Sequence, residues 1–171
     1  LALQSHPALV SLSRITEGRV HQYRVESLFL LFFSFYLCVC RLNHYNRMKV
    51  AIIGAGNMGG AIARGLAQGT IIPASDVTVA DPFSGNLETL QADYPEIRVT
   101  TENPKAIEDA DIVILAVKPW LIDQILSVIR LEPRQVLVSI AGGVTFEQLV
   151  NSVGPEQTIF RLIPNTAISE R

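Results

Sequence analysis

From Met48 to Arg171 the chain has no cysteine and no histidine; both cysteines (Cys38, Cys40) and all three histidines (His6, His21, His44) fall earlier. Ser–His or Cys–His nucleophilic catalysis, and zinc held by Cys or His, are therefore excluded for residues 48–171. A thiol-free body also suits a reducing compartment, which here means the cytoplasm. Positive charge is scarce there as well. Residues 1–47 carry Arg14, Arg19, Arg24, Arg41 and Arg47 against Glu17 and Glu26, a net of +3, so the chain total of −2 leaves −5 for the rest. A mildly acidic body argues against a nucleic-acid partner. No G-x-x-x-x-G-K-[ST] occurs, which disfavours a P-loop nucleotidase. With these chemistries removed, what remains must come largely from a bound cofactor.

The chain does not begin with methionine, and its one long apolar run, Leu28–Cys40, has 13 residues. A bilayer-spanning helix needs about 18 or more, so a membrane span is not expected. The run has the length of a signal-peptide core, yet Arg41-Leu42-Asn43-His44 follows in place of a small-residue cleavage site. Residues 1–47 are read as a leader, disordered or partly helical, arising from upstream sequence translated in frame or a cloning remnant. A membrane-targeting leader is the alternative.

What is present begins at Met48. Lys49-Val50-Ala51-Ile52-Ile53 is a β-branched apolar run, as in a strand buried on both faces of a parallel sheet. Gly54, Gly56 and Gly59 follow at G-x-G-x-x-G spacing and open a helix. In that setting the first glycine serves a tight turn, the second lets backbone approach a pyrophosphate, and the third permits close helix–strand packing. The helix N-terminus attracts the phosphates without a basic side chain. Asp81 ends the next strand, Asp76–Ala80. There a carboxylate would bind an adenine ribose and repel a 2′-phosphate; equally, Asp81-Pro82 would simply start a turn.

Further strands are expected at Ile97–Thr100, Asp111–Val117, Gln135–Ile140 and Thr158–Leu162. Helices are expected over Asn86–Tyr94, from an Asn103 N-cap with Pro104 at the first helical position to about Ala110, from Pro119 to about Arg130, and from Thr145 to Val153. The Thr145–Gln148 stretch is a capping-box pattern. This alternation predicts an α/β fold of Rossmann type, doubly wound, with a mainly parallel sheet and helices on both faces. Ligands of such sheets bind beyond the carboxyl ends of the strands.

The segments at those ends resemble pyrroline-5-carboxylate reductase: I-G-A-G-N-M-G at Ile53–Gly59, A-V-K-P at Ala116–Pro119, S-I-A-G-G-V at Ser139–Val144 and R-L-I-P-N-T-A at Arg161–Ala167. The resemblance covers residues 48–171. It implies hydride transfer from NADPH or NADH to 1-pyrroline-5-carboxylate, a small-molecule substrate, giving proline in the last step of its biosynthesis. It further implies a pyrophosphate site at Gly54, Ala55, Gly56, Asn57, Met58 and Gly59, and an adenosine-side role for Asn103. Lys118, with Ala116, Val117 and Pro119, would lie by the ribose and nicotinamide. Ala141, Gly142 and Gly143 would lie near the nicotinamide, and Pro164 and Asn165 would shape that end of the crevice. No catalytic residue is assigned, because hydride addition to a protonated imine needs little from side chains, and no metal is expected.

Two departures from the family stand out. Asp81-Pro82 replaces the small hydroxyl or basic residues that suit a 2′-phosphate, although Ser84 and Asn86 could compensate, so NADP or NAD stays open. The family's C-terminal helical domain, which forms a homodimer or higher oligomer and supplies the substrate pocket, lies beyond Arg171. The chain as given is thus expected to bind cofactor but hardly turn over. Another reductase of this fold, such as a 3-hydroxyacid or prephenate dehydrogenase, and a non-catalytic, membrane-tethered nucleotide-binding module are the alternatives.

Overall fold

A computed structural model describes residues 10–16, 19–25 and 47–162. Eight strands form one sheet: β1 (Val10–Thr16), β2 (Arg19–Val25), β3 (Val50–Ile53), β4 (Val77–Ala80), β5 (Arg98–Thr100), β6 (Ile112–Leu115), β7 (Val136–Ser139) and β8 (Thr158–Arg161). Their order is β2-β1-β8-β7-β6-β3-β4-β5. The six from β3 onward are mutually parallel, and β1 and β2 are antiparallel additions at the β8 edge. In chain order the parallel strands read 6-5-4-1-2-3, the doubly wound arrangement predicted, with its reversal between β3 and β6.

Among the described residues five helices cover the sheet: α1 (Asn57–Gln68), α2 (Ser84–Asp93), α3 (Asn103–Ile107), α4 (Ile122–Val128) and α5 (Phe146–Val153). Side-chain alternation in the strands divides the core in two. Val50 and Ile52 pack with Ala63 of α1 and Leu87 and Leu90 of α2, while Ala51 and Ile53 pack with Ile107, Ile122, Leu126 and Leu149 from α3, α4 and α5. β3, β6 and β7 are buried at every position. Each fully buried Ile or Leu contributes about 1.5–3 kcal/mol, so the centre of the sheet dominates stability.

Three expectations change in the structure. Part of the leader is neither disordered nor helical: β1 and β2 pair along seven residues, and β1 meets β8 through Ser13 and Arg161. The Leu28–Cys40 run lies outside the described residues, and among those described no helix is long and apolar enough to cross a membrane. The helix after Pro119 starts as a 3₁₀ turn, Pro119–Leu121, and stops at Val128. Asn103 is not the N-cap of α3. Glu102 holds that place in extended conformation, because the Thr100 hydroxyl accepts the Glu102 N–H at 3.1 Å and turns the chain one residue early.

Candidate functional site

The carboxyl ends of β3, β4, β5, β6 and β7 lie side by side, so the loops after them share one edge of the sheet. Backbone bonds continue the sheet past the strands: Gly54 N–H donates to Ala80 O at 2.7 Å, Ala116 N–H to Ile53 O at 2.8 Å and Asp81 N–H to Thr100 O at 3.2 Å. The loops are therefore held at fixed offsets.

The glycine turn meets each of its three requirements by a different means. Gly54 has φ +103°, and a Cβ there would lie 2.5 Å from Ala116 O. That combination of left-handed backbone and close approach admits only glycine. At Gly59 a Cβ would fall 1.8 Å from Gly54 O and 3.0 Å from the Ala116 methyl. α1 can thus sit against the turn only because residue 59 has no side chain. Gly56 is exposed, and a Cβ there would meet nothing within 4 Å. Space lies open in front of its backbone.

That opening faces the start of α1, where Gly56 is the N-cap, no side chain caps the helix and the first turn holds no acid. The unpaired N–H groups and the positive helix end suit an anionic group such as a pyrophosphate. Asn57 is exposed and Met58 half-buried in the same turn, whereas Ala55 is buried. The site fits a dinucleotide phosphate on grounds of shape and dipole together.

Asp81 is buried, at 7% exposure, and its carboxylate is already engaged. Oδ2 accepts the Ala55 N–H at 2.7 Å, and Oδ1 accepts the Phe83 N–H at 2.9 Å. Asp81 therefore fastens the glycine turn to the loop after β4. It thereby starts a turn, as one of the two sequence readings has it, and keeps lone pairs for a further donor.

In the next loop, Asn103 Oδ1 is buried and has no hydrogen-bond partner. An orphaned acceptor of this kind costs about 1–3 kcal/mol unless a donor reaches it. Beyond β6, Ala116, Val117 and Pro119 are half-buried and Lys118 is exposed. Lys118 forms no ion pair with a described residue. Beyond β7, Ala141 is buried, while Gly142 and Gly143 are exposed and Gly143 has φ +82°. The structure brings all of these to one edge. Pro164 and Asn165 lie outside the described residues. The sequence reading missed Phe83, 74% exposed beside Asp81; its only signal was an aromatic residue two positions after a strand-end carboxylate.

Residues 49–143 match a protein-family model described as NADP oxidoreductase, coenzyme F420-dependent. The pyrroline-5-carboxylate reductase of Pseudomonas aeruginosa is 35% identical over 121 residues, covering 69% of this chain and 43% of that protein. The solved pyrroline-5-carboxylate reductase of Coxiella burnetii gives a TM-score of 0.67 at 26% identity, over 73% of this chain and 47% of that one. The Plasmodium falciparum pyrroline carboxylate reductase, solved with NADP bound, gives 0.61 at 27% identity, over 74% and 46%. The chain thus spans less than half the length of these relatives.

Proposed function

The chain belongs to the family described as NADP oxidoreductase, coenzyme F420-dependent, and on that footing we propose that it is the dinucleotide-binding part of a pyrroline-5-carboxylate reductase. The whole enzyme reduces 1-pyrroline-5-carboxylate to proline in the cytoplasm, as a homodimer or higher oligomer. The observation that carries this reading is the glycine turn. Gly59 admits α1 against the loop, and Gly56 leaves the helix N-terminus open at the point where the strand order reverses.

When bound, the reduced nicotinamide supplies a hydride for an electrophilic imine carbon. This chain's residues hold and orient it. The turn from Gly54 to Gly59 takes the pyrophosphate, Asp81 the adenosine ribose, and the Asn103 amide a donor on the adenosine side. Ala116–Pro119 and Ala141–Gly142 line the path toward the nicotinamide. The protein's contribution to rate is positioning and exclusion of water.

Asp81 bears on the choice of cofactor. A buried carboxylate opposes a 2′-phosphate and accepts from a 2′-hydroxyl, which favours NADH. Titration of the chain with NADH and NADPH, before and after Asp81→Ser, tests this reading. Because the substitution also unties the glycine turn, the ratio of the two dissociation constants is the quantity to follow. A shift of that ratio toward NADPH is expected; an unchanged ratio removes Asp81 from the ribose site.

A further inference from the structure

Phe83 is a large apolar side chain left 74% exposed, and its surroundings separate it from a stray surface residue. Its N–H is held by Asp81 Oδ1 at 2.9 Å, and the other oxygen of the same carboxylate holds Ala55 of the glycine turn at 2.7 Å. One buried side chain therefore fixes the spacing between the phenyl-bearing backbone and the phosphate loop.

A second observation comes from the adjacent strand. Ala80 of β4 pairs with Thr100 of β5, and Phe83 and Asn103 each lie three residues beyond that pair. An exposed aromatic ring and a buried, unpartnered amide oxygen thus flank the same stretch of the edge. The ring offers a π-face, and the oxygen calls for an N–H donor. A flat heterocycle with an exocyclic amine supplies both partners.

We propose that Phe83 is the stacking platform for the adenine base of the dinucleotide, with Asp81 as the residue that positions it. This rests on the dinucleotide reading of the crevice. Base–aromatic stacking is sequence-tolerant and strong enough to matter: removing it weakens binding by roughly ten-fold or more.

The experiment uses the whole chain and three fluorescent dihydronicotinamides: NADH, NADPH and reduced nicotinamide mononucleotide, which lacks the adenosine half. Phe83→Ala is expected to raise the dissociation constants of both dinucleotides about ten-fold and leave that of the mononucleotide unchanged. Phe83→Trp is expected to restore native affinity, which also guards against a folding defect in the alanine variant. Unchanged dinucleotide binding in Phe83→Ala overturns the proposal, as does an equal loss with the mononucleotide or a failure of Phe83→Trp to restore. If the unaltered chain binds neither dinucleotide, the reading of the crevice falls, and the adenine platform with it.

Discussion

Gly56 and Gly59 separate two demands that one motif usually blurs. At Gly59 the missing side chain serves the fold, since a Cβ would strike Gly54 O at 1.8 Å, whereas at Gly56 a Cβ would meet nothing, so the fold makes no such demand and, on the proposed reading, a bound dinucleotide does. Gly59→Ala should therefore lower unfolding stability by about 1–3 kcal/mol through overpacking, measured by urea denaturation. Gly56→Val should cost no more than about 1 kcal/mol, the effect of a poor N-cap, while weakening both dinucleotides severely. Asp81 combines the two demands. Asp81→Asn keeps the shape but turns one acceptor into a donor facing a backbone N–H, so about 1.5–3 kcal/mol of stability should be lost. The positions of Gly59 and Asp81 were legible in the sequence because the glycine spacing opens a helix at the first and an apolar strand runs into the second. The Phe83 N–H, two residues on, is the local partner of the turn that Asp81-Pro82 announces, whereas the Ala55 N–H, 26 residues away, was not legible because only the folded sheet brings it there.

Among the elements, the buried strands were the most readable, since continuous apolar runs such as Ile112–Leu115 have one favourable destination. The capping box of α5 was equally plain: Thr145 Oγ1 accepts the Gln148 N–H at 3.1 Å, and Gln148 Oε1 accepts the Thr145 N–H at 2.8 Å. Thr145→Ala should cost about 1 kcal/mol. The start of α3 was misread because Asn-Pro is a strong local cap signal, yet another local turn, closed by the Thr100 hydroxyl on the Glu102 N–H, places Glu102 there. Gln135 drew no attention in the sequence. Its buried Nε2 donates to Ile107 O at 2.6 Å and Ala110 O at 2.8 Å, and its Oε1 accepts the Glu132 N–H at 2.8 Å. Gln135→Leu leaves the Glu132 N–H without a partner and takes one of two donors from each of Ile107 O and Ala110 O, which keep the Ala110 N–H and Arg134; it should cost about 1–3 kcal/mol, seen as a lower urea midpoint with unchanged slope.

At the scale of the molecule, the doubly wound sheet followed from alternating strand and helix signals. The β1–β2 hairpin did not, although Val10-Ser11-Leu12-Ser13 alternates and Gly18 follows, because residues 1–47 were read as a leader outside the fold. Among the residues whose burial is described, the buried apolar residues of both faces fall between Val50 and Phe160. A chain begun at Met48 should therefore keep one cooperative thermal transition and its affinity for dinucleotide; loss of that transition would make the hairpin part of the folding unit. Trp120 is the chain's one tryptophan and is exposed in the 3₁₀ turn after β6, at the edge that carries the site. Its emission reports directly on a reduced nicotinamide bound nearby. The decisive measurement is quenching of Trp120 by NADH and NADPH in the unaltered chain and in Gly56→Val. Saturable quenching in the first, lost in the second with native stability retained, is the predicted result. Equal quenching in both, or none in the unaltered chain, would contradict a dinucleotide site at the glycine turn.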